Sequence, residues 1–398
     1  MSFDLNCFKH LVNTYPSWEL LSAFLTSVDG GKLRIVCPAD SPYAIIRYTR
    51  DVSDMAVEHV RCFKSVVWHK ESNRPVCVSP VKHSSSVPSK MAVRKMDSVD
   101  GTMVNAWRDA AGVHLATRTS VDASGKFYSD RSFAELFGDA VRVLGGTEAF
   151  LESVLEVGSF VSFVLQHPEH KLVASIPAPR LYVVYYGYVQ EDGNVSMTCI
   201  PDSWPARLVS YAPQVIDEEV ELDGEVPVFK SVEHTQHGIV YQSVDCSLRW
   251  RSRNSTYNFV RNLRGQEPTS MGRFVRLRAS GMMKQYLSHF SEENNEMWTH
   301  EKNLRERTQE LYNAYCAIKK GKTLGMKQIP YTLRPHVFAL HGLYLASVAD
   351  GSNESVVKNT VVNYVNNLAL EDQLKLLAGD SVPFVVPQDA YPAAQAVA

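Results

Sequence analysis

A strongly basic segment lies between residues 249 and 284, where nine lysines and arginines stand against a single acid, Glu267. Within it, Arg249-Trp250-Arg251 offers two guanidinium groups able to hold phosphates bidentately with little loss of charge. Arg261 and Arg264 are candidate contacts to RNA phosphates. Trp250 and Tyr257 could stack bases, although aromatic residues on strands belong to the core in most cases. Just upstream, Asp217, Glu218, Glu219, Glu221, Asp223 and Glu225 read as an acidic loop. A formal net charge of -2 therefore conceals a polar arrangement, and the basic segment is where a polyanion would sit. The competing expectation is a solvated, salt-bridged face.

A second group of residues surrounds Asp100-Gly101, which reads as a tight turn with glycine at positive φ before a half-buried strand at 103–107. In His167-Pro168-Glu169-His170 the two imidazoles have a metal-like spacing, but two ligands on a surface turn do not complete a site.

The order of four stretches carries a resemblance. These are residues 97–107, Ser162-Phe163-Val164-Leu165-Gln166-His167-Pro168, His237-Gly238-Ile239-Val240 and Arg249-Trp250-Arg251-Ser252. Together they resemble motifs I, III, IV and V of the covalent nucleotidyltransferases, the group of RNA ligases, DNA ligases and mRNA capping enzymes. Arg61-Cys62-Phe63-Lys64-Ser65-Val66-Val67-Trp68 and the stretch 73–82 look like elements that precede the nucleophile in phage-type RNA ligases. Residues 162–173, 238–241 and 257–265 are similar to stretches in RNA-ligase-like proteins of large DNA viruses. The resemblance spans about residues 15–375.

The resemblance also shows what is missing. Forming a lysyl-nucleotide requires an amine nucleophile, carboxylates that bind metal and orient the amine, and cations for the phosphates. Ser98 stands where the family has that lysine, and a serine cannot form the phosphoramidate; no base is evident to activate its hydroxyl. Val164 replaces the motif III glutamate and His237 that of motif IV. Arg249 and Arg251 keep the charge of motif V without its compact ammonium groups.

The expected function is binding of RNA or a nucleotide by a pseudoenzyme that retains the ligase scaffold. Arg118, His237, Arg249 and Arg251 would take the nucleotide and Arg261 and Arg264 the RNA, with Asp100 shaping the pocket mouth; the resemblance puts Ser98, Asp100 and Gly101 at the family's catalytic positions. The alternative is a working ATP-dependent RNA ligase with Mg²⁺, using Lys82 or Lys95 as nucleophile. Lys95 lies three residues before Ser98, an odd offset that turns it to the other face of a strand. A third reading keeps only the fold, as in a viral structural component, and uses a helical domain to bind a protein partner.

These residues need a scaffold of strands. Ser17 is placed to cap a helix with Trp18, Leu21, Phe24, Leu25 and Val28 on one face. Strands are expected at 33–37, 43–49, 64–69 and 75–79, then a flexible link at 83–89, and a hairpin from 103–107 and 113–118. A helix at 132–144 interrupts strands at 160–166, 171–175 and 180–189. Without strict strand–helix alternation, the class is α+β, antiparallel. Domains are expected at 1–273 and, with helical periodicity, at 274–380, followed by a Pro- and Ala-rich tail at 381–398.

With 398 residues, 45% of them hydrophobic, the chain is long enough for two or three packed domains. It shows no membrane-length apolar run or secretory leader. Seven scattered cysteines suggest reduced thiols in the cytoplasm or nucleus and argue against a zinc site.

Overall fold

The computed structural model describes residues 2–244 and 247–379, side chains at 2–4 and 218 excepted. The expected tail at 381–398 and Cys246 fall outside them. In chain order the strands are β1 (Ser2–Asp4), β2 (Arg34–Val36), β3 (Tyr43–Arg47), β4 (Val66–His69), β5 (Arg74–Val78), β6 (Met91–Asp97) and β7 (Thr102–Asp109). They continue with β8 (Gly112–Thr117), β9 (Ser159–Gln166), β10 (Arg180–Val189), β11 (Val195–Thr198), β12 (Val215–Leu222), β13 (Gly238–Ser243) and β14 (Arg249–Arg253). Helices α1 (Asn6–Thr14), α2 (Trp18–Thr26), α3 (Phe133–Val141), α4 (Thr147–Val154) and α5 (Ala206–Val209) are interspersed with them. After the last strand come α6 (Ser255–Arg264), α7 (Ser270–Ala279), α8 (Met283–His289), α9 (Asn294–Tyr315), α10 (Arg334–Ala349), α11 (Lys358–Asn366) and α12 (Leu370–Ala378).

The class is α+β, and every strand pairing among the described residues is antiparallel. A six-stranded sheet runs β1-β11-β10-β9-β7-β8, and two four-stranded sheets run β12-β6-β13-β14 and β2-β3-β4-β5. The chain divides between Asn262 and Leu263, inside α6, earlier than the expected boundary at 273. Among the described residues, the first unit holds all the sheets and the second is helical.

Strand β9 explains why the large sheet is stable. Its residues from Ser159 to Leu165 are all buried. Phe160 packs with Trp68, Trp107 and Tyr185 on one side, while Val161, Phe163 and Leu165 pack with Phe137 and Phe150 on the other. A sheet covered on both faces needs an unbroken apolar run rather than alternation. Helix α3 is held by a capping box between Ser132 and Glu135, and α2 by Ser17, whose Oγ accepts from Leu20 N.

Three local expectations are corrected. Residues 171–175 form no strand, because the amides of Val173 and Ala174 are taken by the Asp100 carboxylate instead of a ladder. The acidic stretch is partly a strand, β12, which among the described residues pairs only with β6 and is broken by two register irregularities; an edge strand tolerates charge along its free side. Gly101 does not adopt positive φ. It is small for a different reason: a Cβ there would lie 2.5 Å from Leu165 O and 2.6 Å from Val164 Cγ1.

Candidate functional site

Strand β6 ends at Asp97, and the four residues that follow carry the chain from one sheet to the other. Ser98 N donates to Gly238 O at 3.0 Å, tying this link to the start of β13. Gly238 has φ of +142°, and a Cβ would meet Ser252 O at 2.2 Å, so only glycine lets β14 come this close. Beside the link opens a cavity of about 500 Å³ lined by Asp97, Ser98, Asp100, Gln166, Tyr182, Phe229 and His237, among others.

His237 supplies the imidazole that the sequence did not reveal beside Ser98. Its Nδ1 is 3.1 Å from Ser98 Oγ and 3.2 Å from Val99 O. A carbonyl can only accept, so neutral His237 carries its proton on Nδ1 and leaves the lone pair to Nε2. The nitrogen nearest Ser98 is thus a donor, and Ser98 gains no base from it. Burial, with Arg251 and Arg253 adding to it against the pull of Asp100, holds the imidazole down at about 4.

Asp100 is a structural hub. Tyr257 donates its hydroxyl to Oδ1 at 2.5 Å, Val173 N and Ala174 N both reach Oδ2 at 3.2 Å, and Gln166 Nε2 donates to the backbone oxygen at 2.7 Å. Tyr257 is buried, which with Asp100 raises its hydroxyl's pKa, and its ring lies 4.4 Å from that of His237. It is therefore a core residue and no platform for bases. Trp250 is likewise fully buried, with Nε1 donating to Ser86 O.

Alternation along β14 separates two chemistries. Trp250 and Ser252 are buried, whereas Arg249 and Arg251 are half-buried and Arg253 is exposed. The three arginines share one face with their cross-strand partners Gln242, Val240 and Gly238. Lys95 pairs with Tyr241, which pairs with Trp250, so it stands on the opposite face. Lys82 is exposed, its Nζ 5.9 Å from the Tyr48 ring. Arg118 lies over the same ring at 5.1 Å and donates to Lys64 O and Tyr48 O at 3.1 and 3.2 Å. Neither Arg118 nor Arg249 lines the cavity beside Ser98, so these two expected nucleotide contacts are not gathered there with Asp100. Arg251 links the two regions, since it acts on His237 and on Lys64.

Much of the remaining basic segment is consumed internally. Arg264 is buried and paired with Glu293 and with the Tyr286 hydroxyl, so its guanidinium is not presented to RNA. Arg273 also faces Glu293, at 3.4 Å; Arg276 pairs with Glu267 at 2.8 Å and Arg278 with Glu301 at 3.2 Å. Here the salt-bridged reading of the charge run holds, because its own Glu267 and, from beyond it, Glu293 and Glu301 fold onto it. Arg261 is half-buried and donates to Tyr128 Oη at 3.1 Å.

His167 and His170 use their nitrogens structurally: His167 Nδ1 accepts from Glu169 N, and His170 meets Thr102 Oγ1 at 2.7 Å and Phe127 O at 2.6 Å. Among the described residues no group of three or more His, Cys, Asp or Glu could hold a metal ion, and no helix is long and apolar enough to cross a membrane. Cys7, Cys37, Cys62, Cys77 and Cys316 are free, but Cys199 is disulfide-bonded, which corrects the expectation of reduced thiols throughout.

No family model matches the chain, and no curated protein matches its sequence. Among solved structures, an archaeal ATP-dependent RNA ligase is similar with a TM-score of 0.37 at 10% identity, covering 73% of this chain and 77% of that one. A putative ATP-dependent DNA ligase from Aquifex aeolicus gives 0.35 at 10% identity over 69% and 70%. A mutant RNA ligase of Naegleria gruberi with ATP and Mn gives 0.32 at 9% identity; the match covers 44% of this chain and about half of the ligase, 52%. Likeness this slight transfers no chemistry, which leaves function to be argued from the site.

Proposed function

We propose that the chain binds RNA or a nucleotide on an RNA-ligase-like scaffold and forms no covalent nucleotide adduct at residue 98. The observation that carries this reading is the row of Arg249, Arg251 and Arg253 on one face of β14, with no carboxylate paired to any of them among the described residues. Arginines that fold against no acid are available to phosphates, which they hold by charge-assisted bonds. The cavity beside Ser98, which none of these arginines lines, has Phe229, Tyr182 and Gln166 on its walls and suits a flat polar ring rather than an anion.

The residues present fit Mg²⁺ poorly. Asp100, the carboxylate that the resemblance would offer to a metal, has both oxygens engaged by Tyr257, Val173 and Ala174.

Fluorescence anisotropy with a short single-stranded RNA and with ATP tests the reading. Binding should fall steeply with salt and weaken in Arg251→Ala and Arg253→Ala. Labelled ATP should leave no label on the denatured chain. Binding indifferent to salt and to both substitutions would favour a protein partner for the helical unit, and retained label would restore a working ligase.

A further inference from the structure

Helix α10 turns its polar side chains away from water. His336 is buried, its Nδ1 2.8 Å from Tyr364 Oη, and Ser347 Oγ donates to Tyr344 O at 2.8 Å. Every exposed residue from Pro335 to Ala349 is apolar. Phe338, Gly342, Leu345 and Ala349 succeed one another at intervals of four, three and four residues, which sets them on one stripe of the helix. Phe338 and Leu345 keep 59% and 54% of their surface exposed, and a Cβ on Gly342 would meet nothing within 4 Å, so the stripe stands uncovered. A surface helix ordinarily gives its charges to water and its apolar side to the core. A contiguous apolar face left in water marks an interaction surface.

The end of this face nearest Phe338 is basic. Between Glu310 and Asp350 the chain carries Lys319, Lys320, Lys322, Lys327 and Arg334 and no acid. Lys319, in the turn Cys316–Lys320 that continues α9, holds its Nζ 5.9 Å from the centre of the Phe338 ring. Arg334 lies over the exposed Tyr331 ring at 5.6 Å and donates to Ile329 O and Lys327 O, which leaves its charge unneutralised. Lys320, Lys322 and Lys327 are exposed. Among the described residues no ion pair joins any of the five to a carboxylate. The partner that answers such a surface is apolar beneath and anionic at its border.

We infer that α10 lies flat on the surface of an anionic phospholipid bilayer, with Phe338 and Leu345 entering the boundary between headgroups and chains and the lysines meeting lipid phosphates. The inference goes beyond the RNA or nucleotide reading and does not depend on it. Unanswered positive charge beside the apolar stripe selects an anionic partner, and a second copy would set the same lysines against themselves. Leu345 and Ala349 offer a nucleic acid neither a ring nor a hydrogen bond, so RNA would gain little from the stripe. Side chains more than half exposed on a helix form a ridge, which a lipid surface admits as it is, whereas a protein would have to bring a matching groove. At 16 residues the helix is too short to span a membrane, so the contact is with its surface.

Flotation of the full chain with lipid vesicles tests this. Phosphatidylcholine vesicles holding roughly a third phosphatidylserine should carry the chain, and phosphatidylcholine alone should not. Lys319→Gln with Lys322→Gln should weaken binding on the order of 25-fold, about fivefold for each charge. Phe338→Ser with Leu345→Ser changes no charge and should weaken binding roughly tenfold or more, with the melting temperature unaltered because both side chains are exposed. Phe338→Trp should bind at least as tightly as the wild type, since an indole favours the membrane interface. Equal binding to both kinds of vesicle, binding to neither, or binding that the serine pair leaves intact overturns the proposal; the last outcome would place the contact on basic residues elsewhere. Sedimentation and RNA affinity of the serine pair should match the wild type. A dimer that the pair dissociates would give the stripe to a second copy, and an RNA affinity that the pair lowers would give it to RNA; either result also overturns the proposal.

Discussion

Tyr257 donates its hydroxyl to Asp100 at 2.5 Å, joining the first turn of α6 to the link between β6 and β7. With Val173 N and Ala174 N on the other oxygen, the carboxylate is satisfied from three segments far apart in sequence. Asp100 therefore positions the link that carries Ser98.

Removing that bond should be felt in stability more than in binding. Tyr257→Phe leaves a buried carboxylate oxygen short of a donor, and a loss of about 1.5–3 kcal/mol is expected for a hydrogen bond to a charged group. Urea denaturation measures it; an unchanged midpoint would show that the bond is replaced by solvent.

Gly101→Ala should destabilise the chain by about 1–3 kcal/mol, the usual cost of overpacking. The new methyl would press on the Leu165 carbonyl and Val164. Because φ is not positive here, the whole effect comes from close approach, and Val164→Ala should relieve part of it by removing one of the two contacts. Thermal melts of the two single variants and the pair decide this.

His237 gives a pH dependence of defined sign. Its pKa is depressed by burial to about 4 from an ordinary value of 6.5, so between these limits the unfolded chain binds more protons than the folded one. Stability from this group is complete above about 6.5 and is lost as pH falls toward 4. His237→Gln should flatten that part of the stability–pH curve, measured as the difference between variant and wild type; parallel curves would show that the imidazole titrates normally.

The two arginine classes should separate. Arg253→Ala should reduce the salt slope of RNA binding by about 0.7, one single-strand phosphate contact, and leave stability nearly unchanged, since this side chain is exposed. Arg264→Ala should do the opposite. It removes the nearest partner of the half-buried Glu293 carboxylate, which keeps Arg273 and the Tyr286 hydroxyl, so a loss short of the about 3–5 kcal/mol of a fully broken buried pair is expected, and it should leave the salt slope alone. Denaturation and salt titration of both variants give the comparison.

What the sequence determined by itself was local: which stretches are strands or helices, and which residue types occur at which intervals. The Ser17 and Ser132 caps, the hairpin of β7 and β8, the antiparallel α+β class and the alternation that frees Arg249 and Arg251 all follow from chemistry within a few residues. Strand β6 was missed because its run Met91-Ala92-Val93-Arg94-Lys95-Met96-Asp97 mixes charge with apolar residues, and only its neighbours β12 and β13 complete it. The fates of individual polar groups were decided in three dimensions. His237 reaches Ser98 across 139 positions, Glu293 claims Arg264 and Arg273, and Lys64, not distinguished in the sequence from the other lysines, meets the β14 arginines. Burial and pairing are properties of neighbours brought from afar, and a charge in a sequence carries no record of whether an acid, a ring or an empty cleft will face it.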